Sequence, residues 1–235
     1  MEIQVAVSKV RKYAAPDSGD TVEMIERPQG GLSIVMVDGQ SSGRGAKAVS
    51  TLVVRKVIAL LADGVRDGAA ARAASDALFT DKRGKVSASL NILSVDMQTK
   101  TLVISRNNPL PAIISTQEQI KLLDEESVPI GIYRDTRPVI SEIPLEIGLS
   151  AVIFTDGLEH AGSRSGEHID LINYLEPILE SEDPSAQWIA DSLLSCAIQL
   201  DEGRPVDDIS VVVLRVYHHS GDEVRRMHVR LPIPL

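Results

Sequence analysis

Apolar and polar positions alternate with a period of two at the start of the chain. "EIQVAVSKV" (2–10) therefore predicts a strand with one buried face. "DTVEMIERPQGG" (20–31) predicts a second strand running into a turn at Pro28-Gln29-Gly30-Gly31, and "LSIVMVD" (32–38) is apolar enough to be a buried third strand. The period then changes. "GRGAKAVSTLVVRKVIALLADGV" (43–65) repeats Ala, Val, Leu and Ile at spacings of three and four over helical length, with Gly64 as its stop. A second helix is expected over "DGAAARAASDALFTDK" (67–82).

Period two returns at Val86. "VSASLNILSVD" and "TLVISRNN" pair across "MQTK", "PAIISTQEQIKLLD" reads as a hairpin, and "PVISEIPLEIG" and "SAVIFTDG" are further strands. "IDLINYLEPILES" and "DPSAQWIADSLLSCAIQLDEG" are helices, the second with Asp183 as N-cap and Pro184 as its first helical position. "ISVVVLRVY" (209–217) closes the core as the most apolar strand. No repeat or linker interrupts this order, so one α+β domain is expected over 1–216, with "HHSGDEVRRMHVRLPIPL" inside a C-terminal appendage at 217–235.

Composition narrows the partners. A hydrophobic content of 43% over 235 residues suffices for one substantial core. The formal net charge of −9 opposes generic nucleic-acid binding, which needs a basic field. The N-terminus lacks a signal-peptide h-region, and no window approaches the roughly 18 apolar residues of a membrane span. With a single cysteine, Cys196, an intramolecular disulfide framework is ruled out. The expectation is a soluble cytoplasmic protein with neither nucleic acid nor membrane as a partner. Cys196 is expected to be a small buried hydrophobe on its helix, and Trp188 a core residue.

Carboxylates recur at strand ends. "IVMVDGQSSG" places Asp38-Gly39 after a buried-looking strand, and "AVIFTDGLEHAG" repeats the arrangement with Asp156-Gly157. "RPVDDISVVVLRV" inverts it, with Asp207 and Asp208 just before a strand, and "SGDTVEM" adds Asp20. Any one Asp-Gly pair is first of all a turn, and Asp63-Gly64 is read simply as a helix end. If the strand ends meet, however, four or five carboxylates share one small volume and raise each other's pKa. A hard divalent cation relieves that repulsion, since Mg²⁺ and Mn²⁺ favour oxygen ligands. The glycines after Asp38 and Asp156 would let backbone approach such ions. Arg44, at the start of the long helix, is a candidate phosphate ligand with the helix N-terminus, set against the reading of a solvated surface arginine. His160 follows the Asp156 motif and reads as a surface residue, and the adjacent His218 and His219 suit a tail.

In order and spacing, "SGD", "VMVDGQSSG", "IFTDGL" and "DDISVVVL" resemble the metal-dependent PPM-type serine/threonine phosphatases, over about residues 16–216. The likeness is greatest to the compact SpoIIE-like bacterial branch. "DKRGKVSASLNILSVD" and "ISRNNPLPAII" are similar to the RsbX-type stand-alone phosphatases of the stressosome. The resemblance implies a four-layer α-β-β-α sandwich: two antiparallel sheets flanked by helices, with one or two Mn²⁺ or Mg²⁺ ions in a cleft at one edge. Asp38 would bridge two ions, Gly39 would offer its carbonyl, and Asp156 and Asp207 would hold one ion. Asp208 is a weaker ligand, and Asp20 would hold metal-bound water or complete the second site.

The implied activity is hydrolysis of phosphoserine or phosphothreonine by direct attack of metal-activated water, with Asp38, Asp156 and Asp207 catalytic through the metals. The implied partners are phosphorylated STAS-domain proteins of the stressosome. Two departures, Ser41-Ser42-Gly43 in place of Gly-His-Gly and Asn108 in place of a histidine in "RNNPLP", argue against a histidine general acid there. The alternatives are a catalytically impaired scaffold of the same fold, a phosphatase acting on an anti-sigma-factor antagonist, and a different metallohydrolase such as a nuclease.

Overall fold

Two antiparallel five-stranded sheets hold every strand of the computed structural model, which describes residues 1–181, 183–219 and 221–232. The first runs in the order β1 (Glu2–Val10), β10 (Ile209–Tyr217), β9 (Ser150–Phe154), β6 (Ala112–Ser115), β7 (Ile120–Leu123). The second runs β2 (Thr21–Glu26), β3 (Leu32–Gly39), β4 (Ala88–Asp96), β5 (Thr101–Asn107), β8 (Val139–Pro144). Helices α1 (Gly43–Ala62) and α2 (Asp67–Lys82) cover the second sheet. The first is covered by α4 (Leu171–Leu179) and α5 (Ala186–Leu200), and a single turn, α3 (Asp156–Glu159), follows β9. This is the expected four-layer α-β-β-α sandwich.

Strand alternation builds three apolar layers from the two sheets. Ile34 and Met36 of β3 face Ala151 and Ile153 of β9 and Val212 and Leu214 of β10 between the sheets. Val35 and Val37 face the other way, onto Val53, Val57 and Leu61 of α1. Val152, Phe154, Val211 and Val213 pack against Ile189 and Leu193 of α5. Strands buried on both faces read as continuous apolar runs, which is why β3, β9 and β10 stand out in the sequence.

Three local expectations need correction. Helix α5 is capped by Ser185, whose side chain accepts from the Trp188 amide at 3.0 Å, and not by Asp183. Pro184 therefore lies outside the helix, and its carbonyl accepts from the Tyr217 hydroxyl. Trp188 is 47% exposed, because it falls on the opposite side of α5 from the buried Ala186, Ile189, Ala190 and Leu193. Cys196 is half-buried rather than enclosed. Residues 218–219 and 221–232 contain no helix or strand. No described helix is long and apolar enough to cross a membrane.

Candidate metal centre

Strand parity aims Asp38 inward. It continues the inter-sheet face of Ile34 and Met36 at the point where β3 runs out. β2 starts beside it, with Thr21 opposite Val37, so Asp20 stands next to the end of β3. On the facing sheet, β9 and β10 are paired through Phe154 and Val211, which brings Thr155-Asp156 alongside Asp207-Asp208. Asp20, Asp38, Gly39, Asp156, Asp207 and Asp208 thus line one hollow of about 340 Å³. Ser41 and Ser42 complete part of its rim, and α1 starts from there. Positive φ angles at Ser41 and Gly43 (73° and 72°) turn the chain sharply enough for that start.

These carboxylates do different work. Asp20 is 1% exposed, and its Oδ2 accepts from the Thr155 hydroxyl at 3.0 Å and the Ser210 hydroxyl at 2.6 Å. Both hydroxyls come from the facing sheet, so Asp20 ties the two sheets together at the hollow. Lys9 and Lys47 donate to the Asp20 carbonyl at 2.8 and 2.9 Å rather than to its carboxylate. Asp208 is committed to backbone: Oδ1 accepts from the Lys12 amide at 2.9 Å and Oδ2 from the Gly19 amide at 2.7 Å. It fixes the segment that delivers Asp20, which makes it a positioning residue more than a ligand. Asp207 Oδ1 accepts from the Asp208 amide at 2.9 Å, and Asp207 remains half-buried at the rim.

Removing Asp208 would leave two backbone donors without partners. Asp208→Ala is expected to cost about 2–6 kcal/mol of stability, at roughly 1–3 kcal/mol per orphaned donor, read by urea denaturation. A loss below about 1 kcal/mol would contradict the positioning role.

The electrostatics follow from the crowding. Burial first, and then the charges of Asp20, Asp156 and Asp207, push the Asp38 carboxyl up to about 9. Burial also raises Asp20, to about 6, against the opposing hydrogen bond from Ser210. Asp156 is raised by burial and by Asp207, with His160 pulling the other way. Without a counter-charge the cluster therefore keeps a proton at neutral pH.

The residues fit a hard divalent cation. Every donor facing the hollow from these positions is oxygen, and the excess negative charge supplies the affinity. Among the described residues no three acidic, histidine or cysteine side chains close into a ready-made cage. An open arrangement suits ions that keep several waters, as Mg²⁺ does.

The glycines also serve the packing around the hollow. A Cβ on Gly39 would lie 2.3 Å from the Ala46 carbonyl oxygen of α1, and one on Gly157 would lie 2.2 Å from the Asp208 carbonyl oxygen. They allow backbone to pack on backbone, and so hold Asp38 and Asp156 in place. Gly39→Ala and Gly157→Ala are each expected to lower stability by about 1–3 kcal/mol, the usual range for overpacking, measured by thermal melting. Unchanged melting would show that the contacts relax freely.

Other expected positions fall elsewhere. Arg44 does not line the hollow; its side chain is 87% exposed, 3.7 Å from Asp17, in a neighbouring groove. His160 is an exposed residue whose Nδ1 lies 3.9 Å from Asp156 Oδ2. Asn108 is buried and accepts from the Leu110 amide, within a turn held by the buried Arg106. His219 lies beside Glu2. Sequence reasoning missed Thr155 and Ser210, whose only signal is a hydroxyl at the inward end of an apolar strand. It also missed Lys47, which carries no signal at all.

Comparison with known proteins decides the family. The model described as Stage II sporulation protein E (SpoIIE) matches residues 28–217. The chain belongs to the SpoIIE family. It is 24% identical over 204 residues to the Stage II sporulation protein E of Bacillus subtilis (strain 168), covering 86% of this chain and 24% of that protein. The chain thus spans about a quarter of that relative's length. Among solved structures it is similar to the PP2C phosphatase domain, with a fragment of the regulatory domain, of SpoIIE from Bacillus subtilis. There the TM-score is 0.79 at 22% identity, over 94% of this chain and 64% of that one. It is also similar to RsbX in complex with magnesium, with a TM-score of 0.69 at 16% identity over 90% and 94% of the two chains. The SpoIIE-family sandwich is therefore the PP2C fold, and the carboxylate hollow lies at one end of it.

Proposed function

We propose that this chain is a metal-dependent protein serine/threonine phosphatase. The observation that carries the reading is the convergence of Asp20, Asp38, Asp156 and Asp207 from both sheets in one hollow. There Asp38 keeps its proton at neutral pH unless a cation takes its place. Asp38, facing the charges of the other three, would be the carboxylate shared by two ions. Gly39 would add its carbonyl, Asp156 and Asp207 would hold one ion, and Asp20 would complete the second position. Magnesium or manganese supplies positive charge to the phosphoryl oxygens and a water acidic enough to attack at neutral pH.

The chain's own residues do the rest. Asp208, Thr155 and Ser210 keep the carboxylates in place, and Ser41 and Ser42 border the entry for a phosphorylated side chain. Cys196 lies on α5, its thiol pKa raised by burial, and does not line the hollow, so no cysteinyl phosphoenzyme forms.

We further assign residues 1–216 as the phosphatase domain, with the 217–235 appendage starting on the last residue of β10. The substrate proposed is a phosphorylated STAS-domain protein of a cytoplasmic stressosome, whose dephosphorylation resets a stress signal. The RsbX-like motifs and the likeness to the RsbX fold support that choice.

The test is release of phosphate from p-nitrophenyl phosphate and from a phosphoserine peptide, with Mn²⁺ or Mg²⁺ and with EDTA. Turnover that needs the ion and vanishes with EDTA is expected; none under any condition leaves the scaffold reading. A phosphorylated STAS-domain protein is expected to exceed the peptide in kcat/KM by at least about tenfold, because remote contacts lower the barrier as well as KM. Equal values would remove the STAS assignment.

A further inference from the structure

A second concavity adjoins the hollow. Arg44, Ala48, Leu52 and Arg55 follow one another along one stripe of α1, and with Lys47 and Asp17 they line a groove of about 670 Å³. Its floor is apolar, from Ala48 and Leu52. Its rim carries three cations against one anion on a chain whose net charge is −9. The two arginines are not absorbed by the fold, whereas Lys47 is turned inward onto the Asp20 carbonyl and the Thr21 hydroxyl. Arg55 is exposed and has no ion-pair or hydrogen-bond partner among the described residues. Arg44 has only the distant, exposed pair with Asp17, which is worth little.

We infer that this groove docks acidic residues flanking the phosphorylated residue of the protein substrate. The inference rests on the phosphatase reading and adds to it a preference for sequence. Charge complementarity selects the occupant: an acidic segment meets the basic rim, while an extended polyanion such as nucleic acid is repelled by the rest of the surface. Geometry sets the spacing. The groove starts at Arg44, beside the Ser41-Ser42 rim of the hollow, and Arg55 lies about 16 Å further along the helix axis at 1.5 Å per residue. An extended chain covers that in about five residues. Because the hollow lies beyond Arg44, the acidic block that meets Arg55 is at least about five residues from the phosphoresidue.

The test compares phosphoserine peptides that differ only in a block of glutamates or glutamines centred at that spacing, on the N-terminal or the C-terminal side. In one direction the glutamate peptide is expected to have at least about fivefold higher kcat/KM. Arg55→Glu is expected to abolish the preference and Arg55→Gln to reduce it. Turnover of p-nitrophenyl phosphate should be unchanged in both variants, because Arg55 does not line the hollow. Thermal melting checks that both variants fold.

Fluorescence anisotropy of the glutamate peptide without phosphate gives a readout independent of catalysis. If nothing is hydrolysed but this peptide still binds wild type more tightly than Arg55→Glu, the phosphatase reading fails and the groove assignment stands. Equal rates and equal binding for the glutamate and glutamine peptides overturn the groove assignment, as does a preference that survives Arg55→Glu. Binding of RNA or anionic vesicles in preference to the peptide overturns it too.

Discussion

Asp38→Asn is expected to lower kcat/KM for phosphate esters by at least about a hundredfold, the scale of losing one electrostatic contact to the transition state, while leaving the fold intact. The substitution keeps size and shape and removes one charge. That charge is the one both ions would share, so its loss weakens both positions together. The metal-free protein should tolerate the change well. Asp38 already carries a proton at neutral pH through burial and the neighbouring Asp20, Asp156 and Asp207, and a neutral amide replaces a neutral acid. In EDTA the variant should therefore melt at or above wild type, and Mg²⁺ should raise its melting temperature little. Activity lost without stability lost separates a role in chemistry from a role in folding. Near-wild-type turnover at saturating Mn²⁺ would remove Asp38 from the metal centre.

Most of the sandwich is legible in the chain because its strands change the hydrophobic period so clearly. β3, β9 and β10 are apolar on both faces, since a helix layer covers one side and the opposite sheet the other. The same property hides the orientation of the site. In a strand buried on both faces, parity alone does not say which face looks between the sheets. Asp208 therefore reads like Asp207, and only the structure turns it onto the Lys12 and Gly19 amides. The convergence of Asp20 and Asp38 with Asp156 and Asp207 depends on one sheet facing another, a contact between distant segments that periodicity does not encode. The motif resemblance supplied it instead.

The misplaced residues have local causes. Residue type alone places Trp188 in the core, although its place relative to Ile189, Ala190 and Leu193 puts it on the outer side of α5. The proline after Asp183 points to that residue as the α5 cap, but Ser185 is the residue three before an amide that needs an acceptor. A helix start makes Arg44 a candidate for phosphate, and exposure makes it the solvated arginine of the other reading. Its side chain instead reaches away from the hollow toward Asp17, and that places it in the basic groove.

The melting-temperature gap between Mg²⁺-loaded and EDTA-treated protein is expected to widen as pH rises. In the metal-free fold Asp38 is raised to about 9 and Asp20 to about 6, both above the roughly 3.9 of an unfolded aspartate. Between about pH 4 and 9 the native state therefore binds more protons than the unfolded chain, and stability falls as pH increases. The loss begins above pH 4, is steepest until Asp20 gives up its proton near 6, and is complete once Asp38 has done so near 9. A divalent cation binds the deprotonated cluster, so its affinity rises over the same window. At an ion concentration of about 100 times Kd the native state gains about 2.7 kcal/mol, which for a chain of this size is roughly 5–10 °C. The gap should accordingly be small near pH 6 and reach that range near pH 8.5. Asp38→Asn supplies the internal control, since it removes the group with the largest shift and should flatten the pH dependence in EDTA. A gap that is absent, or equal at both pH values, would mean that the carboxylates do not gather protons and metal at one site.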